Sequence, residues 1–272
     1  MGRATLADLC MELVTPASRR MPAFQVTLYD TSMARPRVLF VHGSVVNGDL
    51  TWGAQKPLAD RFELVIPNRR GFAPGPDVER VDFEDEAVWL ERFVEPGTHL
   101  VGHSYGGVVS LFATVRYAEQ LKSLTVVEPP AFGIARGNPA ADDFASRATE
   151  LWGRGPRDPA DFLRAFLTTV GSSIPPGDFS PELLQGARTL LVERYPWTAE
   201  PPLDELAATP FPKLVVSGAH NAAFDAVCDV LVDRLAATRA VLPGAGHSVQ
   251  RLGAPFNELL AAFIEQNDEL AR

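Results

Sequence analysis

Leu100-Val101-Gly102-His103-Ser104-Tyr105-Gly106-Gly107 is the stretch that decides how this chain folds. Apolar residues run into a glycine, a serine follows two positions later, and a second glycine stands two positions beyond it, ahead of the apolar run Val108 to Leu111. A strand that turns abruptly into a helix leaves no space for side chains beside the turn residue, and glycines at 102 and 106 meet that demand. In this strand-turn-helix context a G-x-S-x-G element lifts the serine hydroxyl to the carboxyl edge of a sheet. It also places the Tyr105 amide at a helix N-terminus, where N–H groups and the helix dipole stabilise an oxyanion. Ser104 is the candidate nucleophile and the Tyr105 N–H a candidate oxyanion donor.

Outward from this turn, short apolar runs recur with turn signals behind them: Phe24 to Tyr29, Val38 to Val41, Leu64 to Ile66, Leu124 to Val127, Leu214 to Val216 and Ala240 to Leu242. They read as buried strands. Segments of helical pattern lie between several of them, at Val108 to Leu121, Ala222 to Ala237 and Pro255 to Leu270, the alternation of a largely parallel sheet covered by helices. The class is α/β. From about Pro130 to Pro210 the alternation stops, and Phe144, Trp152, Phe162, Phe166, Phe179, Tyr195 and Trp197 sit among prolines and glycines without a strand. This is read as a helical insertion whose aromatics either fill a core of their own or face a substrate. The acidic run Asp82, Glu84, Asp85, Glu86 reads as a solvated helix face.

A second glycine turn, Phe40-Val41-His42-Gly43-Ser44, again ends an apolar strand. Gly43 lets the chain turn back over the site, and the Ser44 amide is the candidate for the other oxyanion donor. Together with Asn68-Arg69-Arg70-Gly71-Phe72 after the next strand and Gly244-Ala245-Gly246-His247 near the end, these elements resemble the α/β-hydrolase superfamily from about residue 24 onward. The resemblance implies a mostly parallel eight-stranded sheet flanked by helices, with a helical cap inserted after the sixth strand. It divides the chain into an N-terminal extension (1–20), a core (21–129 and 211–272) and a cap (130–210). It also implies a nucleophile, an acid and a histidine in that chain order.

Of five histidines, His247 follows the last apolar strand through a glycine-rich loop, where a general base reaches the elbow serine. His42, His99 and His103 are given packing or structural roles, and His220 is a candidate pocket residue. The acid departs from the commonest superfamily pattern, which places an aspartate just past the seventh strand. Here Val216-Ser217-Gly218-Ala219-His220-Asn221 offers an uncharged amide, which cannot stabilise an imidazolium. Glu128, which ends the run Leu124 to Val127, is the preferred acid, because some members of the superfamily use a carboxylate at that strand end. Asp225 is the alternative. Arg69 and Arg70 either anchor a polar substrate group or serve the fold.

The 272 residues are 46% hydrophobic and 22% charged, enough for a full core, and the net charge of −9 repels phosphate backbones and anionic lipid heads. Nucleic acid and membrane are therefore not expected as partners. Cys10 and Cys228 lie far apart, which suits free thiols in a reducing compartment. Asp8 and Glu12 interrupt the apolar residues of the N-terminus, so a signal peptide is not expected, and no stretch approaches the roughly 20 apolar residues of a membrane span. Cytoplasmic residence is the expectation. No glycine-rich nucleotide loop or metal-ligand spacing occurs, so no cofactor is expected. The expected function is a serine hydrolase acting on a small, fairly apolar ester or lactone through an acyl-enzyme. A carbon–carbon hydrolase, a thioesterase and a non-catalytic small-molecule receptor are the alternatives.

Overall fold

The computed structural model describes residues 35–172, 174–244 and 246–270. Six strands form one parallel sheet: β1 (Arg37–Val41), β2 (Glu63–Val65), β3 (Thr98–His103), β4 (Leu121–Val127), β5 (Lys213–Ser217) and β6 (Thr238–Val241), in the order β2-β1-β3-β4-β5-β6. The chain runs outward from β1 to β2 and then returns to β3 on the other flank of β1. This reversal opens a crevice beyond the carboxyl ends of β1 and β3, where ligands of open α/β sheets bind.

Helices α1 (Gly48–Thr51), α2 (Phe83–Trp89), α3 (Tyr105–Arg116), α4 (Pro139–Arg154), α5 (Pro159–Thr169), α6 (Pro181–Val192), α7 (Leu203–Ala208), α8 (Ala222–Leu235) and α9 (Ala254–Leu270) complete the described fold, with short 3₁₀ segments between them. Side chains of a strand alternate between sheet faces, so a strand covered on both sides is apolar throughout. In β1, Leu39 and Val41 join a core with α2, α3 and α8, while Val38 and Phe40 join a second core with Phe256, Leu260, Ala261 and Ile264 of α9. β5 splits in the same way, Val215 to the first core and Leu214 and Val216 to the second.

Three sequence expectations change. The sheet has six strands among the described residues, not eight. The expected strand Phe24 to Tyr29, the extension 1–20 and Cys10 lie outside them, and the helical segment leaves the sheet after β4, the fourth described strand, rather than after a sixth. The helix expected over 108–121 starts earlier and ends at Arg116, because Leu121 already opens β4 beside Thr98.

Between Pro130 and Pro210 the chain is helical, and its starts are written locally. Asn138, Asp158 and Ser180 cap α4, α5 and α6 through side-chain oxygens, and a proline occupies the first turn of each. Trp152 of α4 anchors the cluster, edge-on to Phe162 at 5.0 Å and to Trp197 at 4.9 Å.

The close approach of α3 to the sheet is possible only with glycine at positions 102 and 106. A Cβ on Gly106 would lie 2.3 Å from the Val41 carbonyl oxygen and 2.4 Å from that of His42, and one on Gly102 would lie 2.5 Å from the Gly106 oxygen. Overpacking ordinarily costs about 1–3 kcal/mol, and since the colliding atoms here are backbone, Gly106→Ala is expected to lose about 3 kcal/mol. Urea unfolding of the two proteins side by side measures that difference.

Candidate active site

Ser104 ends the approach of β3 to α3 with φ 54° and ψ −125°, a conformation that non-glycine residues rarely adopt, and its N–H donates to the Val127 carbonyl at 2.9 Å. The strain is shared. Val45, Glu128 and Ala219, in the loops that follow β1, β4 and β5, also have positive φ. Left-handed non-glycine residues concentrated at the carboxyl ends of neighbouring strands are a mark of functional sites.

The structure brings Ser104, His247 and Glu128 together. His247 Nε2 lies 2.9 Å from Ser104 Oγ, and its Nδ1 lies 2.8 Å from Glu128 Oε2. A hydroxyl donating to Nε2 and an Nδ1–H donating to the carboxylate satisfy both ring nitrogens. The second Glu128 oxygen accepts the Gly218 N–H at 2.7 Å and faces His220 Nδ1 at 3.1 Å. Burial by itself would raise the Glu128 pKa, but hydrogen bonds from His220 and His247, the nearby imidazole charge and the Gly218 amide outweigh it and hold the carboxyl down at about 2.

Asp225 is placed elsewhere. Its Oδ1 accepts from Ser217 Oγ at 2.7 Å and from Arg239 at 2.8 Å, and His247 Nδ1 is paired with Glu128 instead. Asn221 caps α8 through the Ala223 N–H. His103 Nε2 donates to the His247 backbone carbonyl at 3.0 Å, so Nε2 is the protonated nitrogen. Burial first, then the neighbouring His247, lowers its pKa to about 3, so the ring is neutral. His99 packs in the sheet with Nδ1 2.8 Å from Ser123 Oγ.

The loop after β1 is held from below by Arg69. His42 Nε2 accepts the Arg69 backbone N–H at 2.9 Å, which leaves its Nδ1–H to donate to the Gly43 carbonyl. The Arg69 guanidinium donates to the same Gly43 carbonyl at 3.0 Å, to Glu86 at 3.2 Å and to Glu193 at 3.0 Å, and lies 4.4 Å from the centre of the Tyr105 ring. Arg69, Glu86 and Glu193 are all almost wholly buried. Ser44 Oγ donates to the second oxygen of Glu193. The acidic run is therefore not a solvated face throughout: Asp82 caps α2, and Glu86 turns inward to two arginines, Arg69 and Arg70. Glu193, just after α6, carried no motif, and its part in the site came into view only with the structure. As the first residue of α3, Tyr105 has an amide without a helical acceptor, and it stands beside Ser104 near the Ser44 turn.

Two cavities meet at Ser44, Ser104, Phe166, Val170 and His247. The inner one, about 30 Å³, is walled by aromatic side chains including Phe144, Trp152, Trp197 and Phe224. The outer one is a cleft of about 740 Å³ that reaches Leu183 on one side and Arg251 on the other. The aromatics of the helical segment pack on one another, and several of them line a cavity that Ser104 also lines.

A family model described as "Alpha/beta hydrolase family" matches residues 38–261. The chain belongs to the alpha/beta hydrolase family. Within it, 2-(acetamidomethylene)succinate hydrolase of Mesorhizobium japonicum is 25% identical over 258 residues, covering 86% of this chain and 90% of that protein. MenH from S. aureus superposes with a TM-score of 0.63 at 14% identity, over 88% of this chain and 96% of that one. A thermophilic esterase from Thermogutta terrifontis does so with a TM-score of 0.59 at 20% identity, over 86% and 91%. For this alpha/beta hydrolase the likeness to those structures concerns the fold. Among its described residues no helix is long and apolar enough to cross a membrane.

Two measurements follow from the electrostatics. Removing the cation in Arg69→Met leaves two buried carboxylates without it, and should destabilise the fold by about 3–5 kcal/mol in denaturant unfolding. Glu128 has a folded pKa of about 2, below its ordinary 4.5. Its ionisation therefore stabilises the fold fully above about pH 4.5, and that contribution is lost as the pH falls towards 2. The stability gap between the protein and Glu128→Gln should close through that window.

Proposed function

We propose that this alpha/beta hydrolase is a serine hydrolase that cleaves a small, fairly apolar carboxylic ester or lactone through an acyl-enzyme. The observation that carries the reading is the continuous hydrogen-bonded line from Ser104 Oγ through His247 to the buried Glu128. His247 Nε2 accepts the Ser104 proton as Oγ bonds to the substrate carbonyl carbon. Glu128 keeps Nδ1 protonated and offsets the charge of the imidazolium. The carbonyl oxygen becomes an oxyanion beside the Ser44 and Tyr105 amides, and donors of this kind are each worth about two to three powers of ten in rate. The imidazolium then gives its proton to the leaving oxygen as the carbon–oxygen bond breaks, leaving Ser104 acylated. Water, deprotonated by the same imidazole, attacks the acyl carbon, and the proton returns to Ser104 as the acid departs.

The cavities indicate how a substrate sits. The open cleft of about 740 Å³ has room for a small substrate, while the inner chamber, at about 30 Å³, holds little more than a water beside the serine. In this reading the 130–210 segment is a cap, because its aromatics wall the chamber above the serine. The name of the Mesorhizobium relative contains an acetamido group. N-acetyl compounds therefore belong beside esters, lactones and thioesters in the substrate panel. No cofactor enters any step.

The test is turnover of a short activated ester. Ser104→Ala and His247→Ala should each lose about four orders of magnitude or more in kcat, Glu128→Gln about four, and Asp225→Asn should stay within about threefold. A greater loss in Asp225→Asn than in Glu128→Gln would reassign the acid. A fluorophosphonate adduct on Ser104 is expected, and its absence would favour a receptor that binds without turnover.

A further inference from the structure

Glu128 carries a histidine on each carboxylate oxygen, and the proposed mechanism uses only one of them. His247 Nδ1 sits 2.8 Å from Oε2, and His220 Nδ1 sits 3.1 Å from Oε1, which also accepts the Gly218 amide at 2.7 Å. Both Gly218 and His220 belong to the loop between β5 and α8. The same loop carries Ala219 in the left-handed region, with φ 49°, and Glu128 itself has φ 46°. A carboxylate on so constrained a backbone, 1% exposed, has its rotation decided by the donors on its far oxygen.

We propose that His220 is a positioning residue for Glu128: with the Gly218 amide it clamps Oε1, so that Oε2 stays aimed at His247. The clamp gives the loop after β5 a task although the loop holds no acid of its own. This assignment rests on the serine-hydrolase reading for its catalytic consequence, whereas the clamp itself is a property of the resting protein.

The groups facing His220 favour its charged form. Glu128 meets Nδ1 from the end of β4, Asp225 contributes its charge from α8, and the Val170 backbone lies on the side of α5; His247, with ring centres 6.0 Å apart, is the other titratable group nearby. The Asp225 charge is itself matched by Arg239. The hydrogen bond to Glu128, working against burial, raises the His220 pKa above its ordinary 6.5. An imidazolium here opposes a second one at His247, so replacing it with a neutral donor should move the acid limb of kcat/KM to higher pH.

Two variants and one spectrum test this. His220→Ala should lower kcat by about 10- to 100-fold with KM within about twofold, since misaiming a catalytic group by an ångström costs about a hundredfold. His220→Gln, which keeps a donor and loses the charge, should recover most of that loss and show the shifted acid limb. Histidine ¹⁵N NMR of the intact protein should show His220 titrating above 6.5 and falling back in Glu128→Gln. The proposal is overturned if His220 titrates identically in both proteins, or if His220→Ala keeps the kcat and pH profile of the parent. It is equally overturned if Ala and Gln variants are impaired alike with an unshifted profile, the pattern of a packing role. Should Ser104→Ala retain turnover, the hydrolase reading fails while the NMR titration still reports on the clamp.

Discussion

The architecture depends on how closely α3 approaches β1. With Gly106 pressed against the carbonyls of Val41 and His42, the helix begins directly over the crevice where the sheet order reverses. That one approach fixes Ser104 on a left-handed turn, sets the Tyr105 amide beside it and brings the Ser44 turn within reach. A side chain at Gly106 would separate these groups together, because they are carried by the same few backbone atoms. The parallel sheet supplies the rest of the geometry, since every strand delivers its following loop to the same edge.

Beneath that edge the fold keeps a charge where apolar packing would be the simpler solution. Arg69 joins the turn after β1, helix α2 and the residue that follows α6 through one guanidinium. Its fork of donors satisfies two carboxylates and a backbone carbonyl at once, a task a lysine ammonium cannot perform with the same planarity. Burying such groups is costly unless they are paired, and burial pushes the Glu193 carboxyl above its ordinary pKa despite Arg69; the hydrogen bonds nevertheless tie three otherwise separate segments to one point.

The parts of this arrangement legible in the sequence were those set by neighbours along the chain. The elbow could be read because its steric demand is met within five residues, and the strand cores because period-two burial leaves an apolar run. The caps of α4, α5 and α6 are equally local, although no sequence expectation placed them. Glu86 and Glu193 were not legible, because their reason for being inside is an arginine 17 and 124 positions away. A solvated helix face was the natural reading of Asp82 to Glu86, and only the folded position of Arg69 reverses it for Glu86. For Glu128 the strand end made the choice available, while the hydrogen bonds that distinguish it from Asp225 arise between loops distant in sequence. His220 drew notice only as a residue near a pocket; nothing in its neighbours announces a shared carboxylate.

The bond from Ser44 to Glu193 bears on how molecules reach the serine. Lifting the whole 130–210 segment like a hatch would draw Glu193 away from both Ser44 and Arg69, leaving the buried guanidinium with Glu86 alone and loosening the turn after β1. On the proposed reading, traffic would be better served by the cleft that already reaches Leu183 and Arg251, with the helices left seated. On that reading, entry and departure would share the cleft, and its breadth rather than a swinging roof would set which molecules are admitted.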